Sequence, residues 1–459
     1  MTIKNNSANK LAMKMITAGL VAPALVISSS AMAVDLVGAR DLALKSDPTL
    51  QAAEYRRLAT DENKTQAWSN LLPQIDLSGS MTRGDSETSI ASETVSDVDV
   101  DNENYRLELR QALYNQGNYE QLDIARGQIT QAAADYETAF QDFLLRVSDA
   151  YFLVLTNIDG VTFAEAEEEA LQRQFEQAEQ RFEVGLTAVT DVHEARASYD
   201  NARARAIVAR NRLADAKEGL RELTGVYFDE YDRLQEVLPL VEPEPNNSDH
   251  WVEVALAENP LVQAAAASVD VADASMRFER SGHFPTLNFT ASVNEFTDNE
   301  RLLLDDDLNP IGTTSLEADD TRFVLSLNVP LYYGGRVSSR TRQARYLMDA
   351  STSDLDFQQR AAVRNTENSY RAVLAGIQEV QAFDQARISA ESALEATQAG
   401  FEVGTRTIVD VLIANQRLYN SQRELSVSRH NYILSHLRLK ANAGRLGAED
   451  LTVVNQLLE

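Results

Sequence analysis

The side chains that could do chemistry in this 459-residue chain are histidines and clustered carboxylates, and their spacing forms no recognisable site. His430 and His436 stand six residues apart, so they do not share a helix face as an i, i+4 metal pair would. The other three histidines are isolated, and the run Glu167-Glu168-Glu169 is typical of a solvated helix face. The sequence has no cysteine, no Gly-rich phosphate loop and no Gly-x-Ser-x-Gly elbow. We therefore predict that the chain is not an enzyme and has no metal site and no cofactor.

Two aspartates stand in a distinct context, because each lies next to a Phe-Glu-Val-Gly turn between predicted helices. Asp191 precedes Glu194 by three residues, and Asp410 follows Thr407 by three residues. Both spacings resemble capping boxes, in which a side chain binds the free N–H groups at a helix start. Local capping is therefore one interpretation of the two carboxylates.

The first 33 residues have the pattern of a secretory signal peptide. Three lysines precede a mostly apolar run from Met15 to Ile27, and Ala31-Met32-Ala33 forms an A-x-A cleavage site. The apolar run is shorter than the ~20 residues of a membrane-spanning helix. We therefore predict an exported chain that begins near Val34.

The chain is strongly acidic, with a formal charge of −28. Without the three signal lysines the mature chain has 39 basic and 70 acidic side chains, which gives −31. Such a charge argues against nucleic acid as a partner, because phosphate binding needs a basic face. Solubility and a cation-favouring interior are both compatible with this acidity.

The mature sequence repeats once, with an offset of 212 to 219 residues. Leu72-Pro73 returns as Phe284-Pro285, and Phe182-Glu183-Val184-Gly185 returns as Phe401-Glu402-Val403-Gly404. A repeat of this length indicates a duplicated structural half. The sequence thus predicts one half over residues 34–236, a proline-rich linker over 237–249 and a second half over 250–459.

Each half shows the same order of predicted elements. A helix of about 37 residues comes first (35–71 in the first half), followed by two strands of alternating polarity. A helix of ~65 residues, roughly 100 Å long, and a shorter returning helix follow. The long helices are predicted over 118–181 and 336–400, and the returning helices over 191–223 and 410–442. The acidic segments 84–104 and 296–320 between the strands are predicted to be solvated loops.

The four strands have the length that crosses a bilayer at a tilt, but four strands cannot close a barrel. An open sheet edge is not viable in lipid, so several copies would have to close it, with 8, 12 or 16 strands. The leading and returning helices together approach the length of the long helix, which predicts a uniform wall of helices. Soluble hairpins packed on helices are the alternative.

The repeated turns resemble those of the TolC family of outer-membrane efflux proteins, over nearly the whole mature chain. The resemblance is carried by Arg181-Phe182-Glu183-Val184-Gly185 with Thr190-Asp191-Val192, by Phe401 to Leu412, and by Pro330-Leu331-Tyr332-Tyr333-Gly334-Gly335. It implies a mainly α fold with membrane β-structure: a homotrimer with a long α-helical barrel of twelve helices and a transmembrane β-barrel, four strands from each chain. It also implies outer-membrane lipid, a periplasmic adaptor and an inner-membrane transporter as partners, and export of drugs, small molecules or proteins, including type I secretion. A coiled-coil structural protein of the cell envelope is the alternative function.

The resemblance further implies a gate at the closed periplasmic end. Three copies of Asp410 would form an anionic ring, and Arg406 would bond Thr190 and Asp191 across a subunit boundary. Gln180 is retained as well, whereas Phe401 replaces a tyrosine and Ile413 a second aspartate of the family's best-known member. The adaptor contact would be formed by Val184, Gly185, Leu186, Thr187, Val403, Gly404 and Thr405, which could equally be plain exposed turns.

Overall fold

The computed structural model describes residues 33–90, 93–304 and 310–459, which form long helices joined to one sheet. Except for its last residue, the predicted signal peptide lies outside the described residues. The helices are α1 Leu36–Ser46, α2 Pro48–Ser69, α3 Gln116–Glu183, α4 Val189–Thr224, α5 Ser248–Glu258, α6 Pro260–Ser281, α7 Arg336–Glu402, α8 Ile408–Asn442 and α9 Ala448–Asn455. The strands are β1 Gln74–Ile90, β2 Glu93–Asn115, β3 Thr286–Leu304 and β4 Pro310–Asn328.

The leading helix of each half is broken, which corrects the prediction of one helix over 35–71. Asp47 and Asn259 each precede a proline and adopt extended backbone, with ψ of 110° and 122°. The proline ring disfavours helical geometry in the residue before it, so α1 and α5 end there. The side chains of both residues then cap the next helix, each accepting an N–H at 2.9 Å, from Thr49 and from Leu261.

The two kinks are held by different contacts beyond the cap. The buried Asp47 carboxylate accepts a hydrogen bond from Arg146 at 2.6 Å. Burial raises the pKa of Asp47, but the hydrogen bonds from Thr49 and the Arg146 charge outweigh it, so the pKa lies below its ordinary value. Asn259 instead donates its amide to the carbonyl of Asn442 at 2.8 Å.

The sheet is antiparallel with the order β1-β2-β3-β4. Segments 84–104 and 296–320, predicted to be loops, are mostly strand: β1 pairs with β2 as far as Ile90 and Glu93, and β3 pairs with β4 as far as Leu304 and Pro310. The prediction was wrong because backbone ladder bonds need no apolar side chain, so pairing continues where both faces are polar.

One face of the sheet is an exposed apolar band. It is formed by the alternate residues predicted from the sequence, which are Ile75, Leu77, Met81, Tyr105, Leu107, Val293, Phe323, Leu325 and Leu327. The opposite face across the same rows is polar. Within the described chain, β1 and β4 each have a partner strand on one side only. An apolar band with open edges needs further partners.

The helices form a layer that continues from the sheet. Near the sheet the packing order is α2-α3-α6-α7, and towards the hairpin ends it is α4-α3-α8-α7. The long helices α3 and α7 take part in both, and α2 and α4 pack on successive parts of α3. This is the arrangement predicted from the helix lengths.

The main core lies where the two packing orders meet. Phe143, Val147, Tyr151 and Phe152 of α3 are fully buried there against residues of α1, α5, α7, α8 and α9. The Tyr151 hydroxyl lies 3.0 Å from the Val34 carbonyl and 2.9 Å from that of Asp232. The core therefore fixes the middle of the long helices and leaves their far ends to smaller contacts.

The segment between the halves has no regular structure but packs on α8. The N–H and carbonyl of Val241 both bond the Tyr432 hydroxyl, at 2.8 and 2.9 Å, and the Trp251 indole donates to the Pro245 carbonyl at 3.0 Å. The segment is thus attached to the second half.

Among the helices that the structure describes, none combines the length and the apolar character that a membrane span requires.

Candidate functional site at the hairpin tips

The two turns between the long and the returning helices share one geometry. Gly185 and Gly404 have φ of 77° and 80°, the left-handed region that glycine adopts without strain. Each glycine donates its N–H to the carbonyl of the phenylalanine three residues before it, at 2.9 and 3.1 Å. The Phe-Glu-Val-Gly repeat therefore encodes a helix stop, as the sequence predicts.

Asp410 forms a complete capping box at the start of α8. The carboxylate accepts the N–H and the hydroxyl of Thr407, both at 2.9 Å, and the Asp410 N–H donates to the Thr407 hydroxyl at 3.3 Å. These hydrogen bonds and the nearby Arg406 charge hold the pKa of Asp410 below its ordinary value. The predicted cap is confirmed, and the carboxylate remains ionised at neutral pH.

Asp191 has a different role, and its predicted capping box with Glu194 is wrong. Helix α4 begins at Val189 after Ala188, whose side chain makes no capping bond, so Asp191 already lies in the first turn. Its carboxylate accepts the hydroxyl of Thr187 instead. The two repeats thus place equivalent aspartates in non-equivalent local contacts.

Phe401 connects the ends of the two long helices. Its ring lies 4.5 Å from the Arg181 guanidinium carbon, a cation–π contact between α7 and α3. From the sequence alone, the notable property of Phe401 is that its ring lacks the hydroxyl of the tyrosine it replaces. Arg181 stands beside the turn of the first repeat, and residue spacing alone could not show that its side chain contacts Phe401 of the second repeat.

Arg406 lies in the turn that packs against Gly400. A Cβ added to Gly400 would come within 2.7 Å of the Arg406 Cγ. Its guanidinium is exposed, and within the described chain no hydrogen bond joins it to Thr190 or Asp191. Gln180 is also exposed, with its carbonyl accepting the Val184 N–H at 3.4 Å. The structure therefore brings Arg406, Thr407 and Asp410 together, and leaves Thr190, Asp191 and Gln180 on the other hairpin.

The tips are apolar and solvent-exposed. Leu186 and Val403 are each 76% exposed, and Val184 is nearly as accessible. Behind them a small cluster of Leu171, Ala178, Ala195, Ala202, Ile408 and Leu412 holds the two hairpins together. Ile413, one turn after Asp410, is exposed and lies outside this cluster.

Glu167 is the residue that sequence reasoning missed, because the run 167–169 is not a uniformly solvated face. Glu167 is fully buried, and its two oxygens lie 2.7 Å from Arg205 of α4 and 3.4 Å from Arg423 of α8. Glu169 is 69% exposed. The signal was present, since Glu167 falls between buried Ala164 and Leu171 at helical spacing.

Of the two histidines in α8, His430 is buried in the core and His436 is half-buried. The Nδ1 of buried His430 lies 2.8 Å from the Thr156 hydroxyl, and burial lowers the pKa of His430 to about 4. Burial also lowers the pKa of His436. No group of three or more potential ligand side chains in the part of the chain that the structure describes could hold a metal ion.

We expect Glu167→Gln to lower the free energy of unfolding by about 1–3 kcal/mol, because the guanidinium groups of Arg205 and Arg423 would then face an uncharged amide. Thermal unfolding followed by circular dichroism measures this loss. Glu169→Gln is the matched control on the same helix, and its effect should stay within about 0.5 kcal/mol. Equal melting temperatures for the two variants would contradict a structural role for the buried ion pairs.

The sequence matches the family model described as "Outer membrane efflux protein" over residues 39–226 and 251–445. The chain is 36% identical to "Outer membrane protein TolC" of Vibrio cholerae over 429 residues, covering 94% of this chain and 95% of that protein. It is 33% identical to "Outer membrane protein TolC" of Escherichia coli K12 over 437 residues, covering 94% and 86%.

A solved structure has the same fold. The crystal structure of the outer membrane protein VceC from Vibrio cholerae matches with a TM-score of 0.74 at 19% identity, covering 89% of this chain and 96% of that one. The matches confirm the predicted fold class, outer-membrane location and export-channel function, and they do not support the structural-protein alternative. The chain belongs to the outer membrane efflux protein family.

Proposed function

We propose that three copies of this chain form one channel through the outer membrane, with a long helical tunnel in the periplasm. The observation that carries this proposal is that both layers of the chain are open at corresponding edges. The sheet ends at β1 and β4, and the helix layer near it ends at α2 and α7. A rotation that pairs β4 with the next copy's β1 also brings α7 to the next copy's α2.

Exposed side chains on the two helix edges support this closure. Tyr346, Leu347 and Phe357 of α7 are large, apolar and exposed, as are Tyr55 and Leu58 of α2. Apolar patches of this kind mark contact surfaces in soluble parts of proteins. Three copies would give twelve strands with the apolar band facing lipid. The two duplicated halves, 34–236 and 250–459, would then alternate around the axis.

The proposed transport needs partners at the inner end. The exposed apolar tips (Val184, Gly185, Leu186, Thr187, Val403, Gly404 and Thr405) form the contact for a periplasmic adaptor, which connects the tunnel to an inner-membrane transporter. That transporter supplies the energy, and the tunnel itself performs no chemistry and binds no nucleic acid. Exported solutes, whether drugs, other small molecules or proteins, are selected mainly by the transporter.

The assembly is tested by outer-membrane fractionation followed by gel electrophoresis of unboiled samples. We expect the chain in the outer-membrane fraction as a stable oligomer of three copies, which dissociates on boiling. A periplasmic protein that migrates as a monomer without boiling would refute the channel.

The gate is proposed to lie at the tips. Three Asp410 carboxylates, kept ionised by their caps, would form an anionic constriction that attracts cations. The exposed Arg406 guanidinium, which has no partner on Thr190 or Asp191 of its own chain, is available to the Thr190 and Asp191 of a neighbour. We call these contacts of Arg406 with the neighbour's Thr190 and Asp191 the latch. Gln180 and Phe401, at the same end of the helices, belong to the proposed gate as well.

Asp410→Asn should lower the preference for K⁺ over Cl⁻ and weaken block by a multivalent cation in planar bilayers. The amide keeps an oxygen for the Thr407 N–H, so the charge is lost while most of the cap remains. Thr407→Ala is the converse control, because it weakens the cap and keeps the charge. If Asp410→Asn leaves both ion preference and block unchanged, the anionic ring is wrong.

Arg406→Ser should raise the conductance of the purified channel several-fold, because charged links of about 1–3 kcal/mol each would be lost between subunits. Single-channel recording in planar bilayers measures this change. Arg417→Ser, eleven residues or about three turns farther along the chain in α8, serves as the control for loss of a positive charge. Unchanged conductance in Arg406→Ser would count against the latch.

A further inference from the structure

We infer that the polar face of the sheet carries a charge-balanced belt through which multivalent anions interact with the outer-membrane section of the channel. The belt consists of three arginines and three carboxylates, Arg106, Arg110, Arg322, Asp76, Glu108 and Asp320. This inference deepens the proposed function and rests on it, because it requires that the polar face lines the passage.

Strand register places all six charges in three adjacent rows of one face. Arg106 lies in the row of Ser78, Asn294 and Asp320. The next row joins Asp76, Glu108, Ser292 and Arg322, and the third joins Gln74, Arg110, Thr290 and Val324. Rows on one face are about 7 Å apart along a strand. The belt therefore covers roughly 14 Å, directly behind the apolar band.

The charges of the belt are close enough to interact but are not all neutralised. Glu108 is 2.5 Å from Arg110 and 4.0 Å from Arg106, and Arg110 is also 3.3 Å from Asp76. Arg322 is 2.8 Å from Asp320 on its own strand. Arg110–Asp76 joins two strands and the other pairs lie within one strand, and exposed ion pairs of either kind stabilise a sheet only modestly.

The arginine side chains remain accessible on the polar face. Their side chains are 49% exposed at Arg106, 58% at Arg110 and 66% at Arg322. Among the residues whose side chains the structure describes, the partners of Arg106 are the Glu108 carboxylate at 4.0 Å and an Asn294 oxygen at 3.4 Å. A guanidinium offers a planar fork of donors that matches carboxylate and phosphate oxygens. These arginines can therefore meet an anionic solute without leaving their strands.

The belt contrasts with the rest of the chain, which has a net charge of −28. Among sheet residues whose side chains the structure describes, three of the four arginines lie in the belt, and the fourth is Arg83. The carboxylates farther along the strands lie on the opposite face, in line with the apolar band; they are Asp85, Asp101, Glu103, Glu295, Glu317 and Asp319. Rings of charged side chains set ion preference in pores, and lumen-facing substitutions tune it in membrane barrels.

The two ends of the passage therefore differ in the ions that they favour. The carboxylates at the hairpin tips favour cations, whereas the belt offers each sign of charge a partner. The ligand class that fits the belt is a small anion with two or more carboxylate or phosphate groups. Three copies would surround such an anion with arginines from every subunit.

The test uses the full-length purified channel in planar bilayers, with citrate added on the side of the sheet so that it need not pass the tips. Citrate should block the wild-type current, and the triple variant Arg106→Gln, Arg110→Gln and Arg322→Gln should need about threefold more citrate for the same block. The control Arg83→Gln lies on the opposite face and outside the belt, so it should need the same citrate concentration for block as the wild type.

A second variant distinguishes loss of the belt arginines from misfolding of the triple variant. Asp76→Asn with Asp320→Asn removes belt carboxylates and should strengthen citrate block, which is a change of opposite sign. The belt is refuted if a conducting wild-type channel shows no citrate block, or if both belt variants behave like Arg83→Gln. Absence of any conducting oligomer in the wild type would refute the proposed function instead.

Discussion

Strands β1 and β4 each leave one row of backbone N–H and C=O groups without a strand partner in the described chain. In hydrocarbon such groups have no water to bond, so the exposed apolar band beside them can be stable only in a closed assembly. The helix layer is subject to the same constraint in water, where α2 and α7 expose aromatic side chains at its edges. The proposed passage with a polar face and the proposed gate at the hairpin tips both depend on satisfying the two edges with the same rotation.

Sequence periodicity predicted the long elements well. Helices α3, α7, α4 and α8 begin and end within a few residues of the predicted positions, because each keeps a 3.6-residue period and lacks an internal proline. The breaks before Pro48 and Pro260 were visible as residue types, yet apolar periodicity on both sides suggested one helix. Strand pairing beyond the apolar band was not predictable, since both faces there are polar and the ladder is made by the backbone.

The hairpin tips show which structural features of the two repeats can be predicted from the sequence and which cannot. The glycine stops in the two turns follow directly from residue type, and so does the cap at Asp410. Asp191 has the same place in the first turn as Asp410, but the residue before α4 is Ala188, which has no hydroxyl to complete the box as Thr407 does before α8. Glu167 is similar: its position in a buried stripe could be predicted, but its arginine partners lie on two other helices, 38 and 256 residues away in the sequence. Contacts between distant segments are the part that one sequence does not provide.

The two proline kinks carry a consequence for the history of the chain. One joint holds an ionised carboxylate against an arginine of α3, whereas its counterpart directs a neutral amide at the end of α8, beside Gly444, whose added Cβ would lie 2.4 Å from the Glu258 carbonyl. Each joint now relies on neighbours that the other half does not supply. Both halves have thus kept the kink and its cap, while each has acquired its second contact from within itself, Arg146 inside residues 34–236 and Asn442 inside 250–459, so the two joints have diverged independently.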